Sequence, residues 1–298
     1  MPYLELSIAC NANQEARIEA ALFELGALSV SLLDAADADN ERAILEPGVG
    51  ETPLWANITL LALFKHDMHR ALLLHALDAY DEDIDWSQAK FTEVADQDWE
   101  RAWLDQFKPM QFGAHTWIVP WHADTPEAAK DGVIIRLDPG LAFGSGTHPT
   151  TSLCLQWLDS LDLYDKHVLD FGCGSGILAV AALKLGAGHA TGVDNDPQAL
   201  LASRDNANRN EVGNRLQVFL PEHAPEQKYP IVVANILASA LIALVATLAA
   251  RTQPGGIIAL SGILHNQADD VLASYRPYFD DLHVEQLDDW VRINGRRR

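Results

Sequence analysis

At 298 residues the chain is long enough for about two domains, and its 48% apolar content is ample for packed cores. A formal net charge of −21 argues against a long groove that tracks nucleic-acid phosphates, because such binders carry a basic face. The acidic balance leaves room for a basic protein as partner, drawn in by long-range attraction, and is also common in soluble proteins.

Residues 3–8 alternate like a half-buried strand, and residues 13–26 follow with helical periodicity. That helix carries Ile18, Leu22 and Leu25 on one face and ends on Gly26, a residue suited to a C-terminal cap. Residues 29–33 read as a second strand, 34–53 as a polar loop, 55–64 as a third strand, 68–80 as a helix and 91–95 as a fourth strand. The order strand, helix, strand, strand, helix, strand is the split pattern of a small α+β ferredoxin-like domain, assigned to residues 1–95. Residues 96–115 form a linker whose segment 98–107 reads as a short amphipathic helix, its indoles expected to pack on a neighbouring domain.

The second domain is assigned to residues 116–298 and opens with a hairpin of residues 117–121 and 133–137. Next comes the loop Asp138-Pro139-Gly140-Leu141-Ala142-Phe143-Gly144-Ser145-Gly146-Thr147-His148-Pro149-Thr150-Thr151. It lacks the Gly-Lys-Ser/Thr ending of a phosphate loop, and its glycines and prolines suit a shaped loop that closes over a ligand. Thr150 or Thr151 begins the following helix, as a plain cap or as a site residue, and His148 fits a satisfied loop histidine better than a base.

Val168-Leu169-Asp170-Phe171-Gly172-Cys173-Gly174-Ser175-Gly176 is the most informative stretch. A buried strand, three alternate glycines, a helix from Ile177, a second strand at 190–193 and a terminal Asp194 describe a nucleotide-binding crevice in a doubly wound, Rossmann-like α/β domain. Ile177 stands where a dinucleotide fingerprint wants its third glycine. The alternate glycines Gly172 and Gly174, preceded by Asp170, instead suit S-adenosylmethionine, which has no phosphate and presents an ammonium to the loop. Asp194 is expected to accept from the ribose hydroxyls. Cys173 reads as a small packing residue rather than a nucleophile.

The alternation continues with a helix over 197–208 and strands at 216–220 and 231–234, the last ending on Asn235-Ile236-Leu237-Ala238. Chemistry in open α/β sheets gathers at strand carboxyl ends near the reversal of strand order. Methyltransferases of planar nitrogens often carry Asp/Asn-Pro-Pro-aromatic here, and this chain keeps only the Asn. An aliphatic amine therefore fits better than a nucleobase. The Asn235 side-chain oxygen and the Ile236 carbonyl are expected to accept its N–H groups and aim its lone pair. Arg296-Arg297-Arg298 reads as a solvated tail.

No Cys-x-x-Cys or His-Glu-x-x-His spacing appears, so no metal site is expected. Cys10, Cys154 and Cys173, odd in number and widely spaced, fit a reducing compartment. With no signal-peptide pattern, and an apolar run of 238–250 too short for the roughly 18 residues of a membrane span, a cytoplasmic location is expected.

The loop from Leu137 to Thr151, the stretch from Asp170 to Leu178, Val233-Ala234-Asn235-Ile236-Leu237-Ala238 and Leu260-Ser261-Gly262-Ile263-Leu264 together resemble the bacterial methyltransferase family of large-subunit ribosomal protein eleven. The resemblance runs the whole chain, with Ser145 where many members carry Thr. It implies a class I methyltransferase domain and trimethylation of lysine side chains and the N-terminal amine of that ribosomal protein, with S-adenosylmethionine as donor. It also implies cofactor contacts at Thr151, Gly172, Asp194 and Asn235, with Phe143 and His148 in the covering loop, and substrate recognition by the N-terminal domain. A monomer with no direct nucleic-acid contact is expected. Alternatives at this point are an RNA or small-molecule methyltransferase using the same cleft, and a non-catalytic S-adenosylmethionine-binding module.

Overall fold

The computed structural model describes residues 2–35, 54–95, 107–137 and 148–298. The expected linker helix, most of the 34–53 loop and Phe143 with the rest of 138–147 lie outside the described residues. The chain divides into two compact units, Met1–Trp99 and Glu100–Arg298.

In the first unit, strict alternation buries Leu4, Leu6 and Ile8 of β1 (Tyr3–Asn11) and Ile58, Leu60, Ala62 and Phe64 of β3 (Asn57–Lys65) on one sheet face. Those rows pack against Ile18 and Leu22 of α1 (Glu15–Glu24) and Leu73 and Leu77 of α2 (Arg70–Tyr80). With β2 (Ser29–Asp34) and β4 (Lys90–Val94), the antiparallel order is β2-β3-β1-β4, the ferredoxin-like arrangement.

The second unit opens with three short strands, β5 (Met110–Phe112), β6 (Thr116–Val119) and β7 (Val133–Arg136). Here the expected hairpin is corrected. Strands β6 and β7 run parallel, and the hairpin is β5 with β6. Residues 120–132 are long enough to carry the chain back for a parallel return, which a tight turn cannot do. Asp159 anchors the true hairpin by accepting from the backbone N–H of Ala114 at 2.6 Å and the Thr116 hydroxyl at 2.7 Å.

A seven-stranded sheet follows, built from β8 (His167–Phe171), β9 (His189–Val193), β10 (Leu216–Phe219), β11 (Tyr229–Asn235), β12 (Thr252–Leu264), β13 (Phe279–Leu287) and β14 (Trp290–Arg297). The order is β10-β9-β8-β11-β12-β14-β13, parallel from β10 to β12 and antiparallel in the last two pairings. Alternate residues of the central strands feed two cores. Val168, Val233 and Ala259 join one with α4 (Ile177–Lys184), whereas Leu169, Val232 and Ile258 join the other with α8 (Ala268–Tyr275). Such near-continuous apolar strands are what helices on both faces require. The remaining helices are α3 (Pro149–Asp159), α5 (Pro197–Arg209), α6 (Ala238–Ala243) and α7 (Val245–Arg251). No helix among the described residues is long and apolar enough to cross a membrane.

The expected solvated tail is corrected in part: Arg296 and Arg298 are exposed, but the segment is a paired strand and not a tail. Arg296 and Arg297 belong to β14, where Arg297 donates to the carbonyls of Ala249 and Tyr278 and Arg296 to that of Gly255, while Arg298 pairs with Asp280 at 2.8 Å. Pairing with β12 and β13 holds the backbone, and backbone carbonyls take up the guanidinium donors.

Candidate active site

Strand β8 has β9 on one side and β11 on the other, so the connections leave their carboxyl ends in opposite directions. The crevice this opens is the place for a ligand. It is lined by the loop after β8, Asp194 after β9 and the turn after β11.

Gly172, Gly174 and Gly176 all have positive φ, +80°, +54° and +76°, a region open mainly to glycine. Close approach adds a second requirement at two of them. A Cβ on Gly172 would stand 2.2 Å from Ile236 Cγ2, and one on Gly176 would stand 2.8 Å from Ser203 Oγ. The loop backbone is tied down from β9 and α5: Gly172 N–H donates to the Val193 carbonyl at 2.7 Å, Ser203 donates to the Gly174 carbonyl at 2.9 Å, and Asn206 to that of Ser175 at 2.8 Å. Ser203 and Asn206, three apart on α5, were invisible as loop supports in the sequence, because nothing local in a helix marks its tertiary neighbour.

Asp194 accepts from the Gly174 N–H at 2.8 Å through Oδ2 and from the Asp196 N–H at 3.0 Å through Oδ1. Each carboxylate oxygen keeps a second lone pair for a hydroxyl donor, as a ribose diol would supply. Cys173 is buried, and burial first, then the Asp170 charge, push its thiol up to about 12. It packs against the β9 backbone at Gly192.

Asp170 sits deeper than the cleft-lining role expected of it. It is 1% exposed, and its Oδ2 accepts from the Ala179 N–H at 3.0 Å, so it caps α4 from below the loop. Burial raises its pKa to about 7, against the pull of the Ala179 bond, with Asp194 adding to the rise. An unfolded aspartate ionises near pH 4. Between about pH 4 and 7 the folded protein therefore holds a proton that the unfolded chain has lost, and stability falls as pH rises through that window. Asp170→Asn should flatten this dependence in urea melts compared between pH 5 and pH 8. Identical pH slopes for variant and parent would remove Asp170 as the cause.

On the opposite wall, His148 caps α3: its Nδ1 accepts from the Thr150 N–H at 3.3 Å and lies 2.8 Å from the Thr150 hydroxyl. Its ring meets Trp290 edge-on at 4.7 Å, and burial lowers its pKa. The capping role therefore falls to His148, and Thr151 is left to face β11. Asn235 Nδ2 donates to Thr151 Oγ1 at 3.3 Å, whereas Asn235 Oδ1 is buried with no hydrogen-bond partner among the described residues. A buried acceptor without a donor is costly by about 1–3 kcal/mol, which an incoming N–H would offset. Ile236 follows directly, its N–H donating to the Ser261 carbonyl at 3.1 Å.

Thr151, Gly172, Gly174, Asp194, Asn235 and Ile236 are thus linked by hydrogen bonds or close packing to the carboxyl ends of β8, β9 and β11. The residues fit S-adenosylmethionine: glycines for close backbone approach, a carboxylate for the ribose and an unpartnered amide oxygen. No cluster of His, Cys, Asp or Glu capable of holding a metal occurs among the described residues.

Residues 2–298 match the family model described as ribosomal protein L11 methyltransferase (PrmA). Ribosomal protein L11 methyltransferase of Stenotrophomonas maltophilia (strain R551-3) is 61% identical, covering 100% of both chains, and that of Xylella fastidiosa (strain 9a5c) is 55% identical, also covering 100% of both. Among solved structures, ribosomal protein L11 methylase from Lactobacillus delbrueckii subsp. bulgaricus superposes with a TM-score of 0.57 at 30% identity, covering 64% of this chain and 100% of that one. With the family model matched over residues 2–298 and relatives 55–61% identical over their full length, the chain belongs to the ribosomal protein L11 methyltransferase family.

Proposed function

We propose that the protein transfers methyl groups from S-adenosylmethionine to amino groups of ribosomal protein L11, lysine side chains and the N-terminal amine included. The observation that carries this reading is Asn235, whose amide N–H is engaged by Thr151 while its oxygen waits for a donor. When bound, S-adenosylmethionine supplies a methyl group on a positively charged sulfur, an activated leaving group. Thr151, Gly172, Gly174, Asp194 and Asn235 would hold it, and the amine nitrogen would take the methyl group with its lone pair. The methylated nitrogen then carries the positive charge and sheds a proton to solvent before the next round.

What the chain contributes is orientation and a neutral amine. A lysine with a reference pKa near 10.4 must lose its proton at a cost of roughly 4–5 kcal/mol at pH 7. Desolvation against Ile236 and the glycine loop offsets part of this. Asn235 Oδ1 and the Ile236 carbonyl accept the remaining N–H groups and aim the lone pair, an alignment worth several kcal/mol on its own. No general base is required. His148 caps α3 at Thr150, and Asp170 lies beneath the loop with one oxygen accepting from Ala179 and the other buried without a hydrogen-bond partner among the described residues.

The first unit, residues 1–95, serves in this reading to recognise the ribosomal protein, with 96–115 as linker and the methyltransferase domain beyond. The net charge of −21 supports a basic protein partner over RNA. The enzyme acts as a monomer in the cytoplasm, without touching nucleic acid. Incubation with labelled S-adenosylmethionine, isolated ribosomal proteins and ribosomal RNA, read by mass spectrometry, should place the label on L11. Label on RNA alone would favour the alternative substrate class.

A chain that begins at Phe107 keeps every proposed contact of the cleft. It should still bind S-adenosylmethionine, yet lose at least about 10-fold in kcat/KM toward L11 as the local substrate concentration falls. Undiminished kcat/KM in the shortened enzyme would locate recognition elsewhere.

A further inference from the structure

We propose that Ser261 and Gly262 form the positioning element that aims the amine's two acceptors, a role that rests on the reading of Asn235 and Ile236 given above. Ser261 stands opposite Asn235 in the β11–β12 ladder, and its carbonyl accepts the Ile236 N–H at 3.1 Å. Its hydroxyl is fully buried, 3.2 Å from the Val291 carbonyl of β14 and 3.3 Å from the Thr150 carbonyl of α3. One residue thereby ties the turn after β11 to the helix start that presents Thr151 to Asn235.

Gly262 controls the other acceptor. It has φ +84°, and a Cβ there would stand 2.3 Å from the Ile236 carbonyl oxygen and 2.8 Å from its carbon. The β12–β14 register shifts between Leu260 and Ile263, so a bulge lays the Gly262 backbone against the Ile236 peptide. Gly172 confines the same residue at Cγ2. Ile236 is thus held at its peptide by Gly262 and at its side chain by Gly172, two positions where no side chain fits, which limits how far its carbonyl can turn.

The substrate's own chemistry separates this role from simple structural support. A neutral lysine amine carries two N–H groups, its monomethyl form one and its dimethyl form none. Acceptors aim the first transfer through two bonds, the second through one and the third not at all. Damage to positioning should therefore fade as methyls accumulate, whereas damage to folding or to the cofactor site should slow every transfer alike.

The test is single-turnover transfer at saturating S-adenosylmethionine by the full-length enzyme and its Ser261→Ala variant. The substrates are L11 with unmodified amines and L11 whose lysines have been reductively dimethylated. Ser261→Ala should slow transfer to the unmodified protein by about 10-fold and to the dimethylated protein by less than about twofold, as expected for lost orientation. Both rates come from one enzyme preparation, so their ratio is independent of the folded fraction. Ser261→Cys, slightly larger and keeping a weak donor, serves if the alanine variant is insoluble and should show the same graded pattern with a smaller amplitude. Equal slowing on both substrates would overturn the positioning role. A wild-type enzyme that methylates neither form of L11 would instead overturn the underlying reading of the substrate.

Discussion

Asn235→Ala is expected to lower kcat by about 100-fold, the scale on which loss of one aligned polar group in a water-excluded site acts. KM for the protein substrate should change by only about threefold, because orientation counts most at the transition state. This variant removes both the unpartnered acceptor Oδ1 and the 3.3 Å bond from Nδ2 to Thr151. The second loss can loosen cofactor binding, so the comparison belongs at saturating S-adenosylmethionine. Asn235→Asp preserves an acceptor while removing the amide donor and should recover part of the rate. The dependence of kcat/KM on pH should rise with unit slope between about pH 7 and 9 in both parent and variant, since the reactive form is the neutral amine. A wild-type single-turnover rate in Asn235→Ala would take Asn235 out of the reaction.

Asp194→Ala should weaken S-adenosylmethionine binding by about 10- to 150-fold, corresponding to roughly 1.5–3 kcal/mol for a lost charged acceptor. Part of that effect passes through the protein itself. Asp194 accepts from the Gly174 N–H, so its removal also frees the middle of the glycine loop. Asp194→Asn separates the contributions: an amide oxygen can still accept from Gly174, but one carboxylate oxygen becomes an N–H₂ donor facing hydroxyls. Titration calorimetry on the folded variants gives the dissociation constants. An unchanged constant in Asp194→Ala would refute the ribose assignment.

The glycine spacing, the strand ending on Asp194 and the Asn235 turn were legible because each depends on a local rule. Alternation marks a half-buried strand, helical spacing marks an amphipathic helix, and a glycine run marks a backbone that needs positive φ. The parallel pairing of β6 with β7 was not legible, since two short apolar segments look alike whichever way they run. The arginine-rich terminus was half legible for a related reason. Its charge marked the exposure of Arg296 and Arg298, but gave no sign of the strand pairing or of the carbonyls of Ala249, Gly255 and Tyr278 that accept from the guanidinium groups.

Asp170 shows where the boundary falls. From sequence it precedes the glycines and is counted with the cofactor contacts. Only the fold reveals that one of its carboxylate oxygens also caps α4 at the Ala179 N–H. Sequence by itself determined the two-part organisation into an α+β module and a doubly wound α/β domain, the identity of the glycine loop and the polar residues at its strand ends, because those follow from periodicity and backbone sterics. Tertiary structure alone decided which of these polar groups meet. Ser203, Asn206, Ser261 and Gly262 lie 25 or more positions from the backbone they support and carry no local signal of it, and Thr151 reaches Asn235 across 84 positions because β8, β11 and β12 stand side by side.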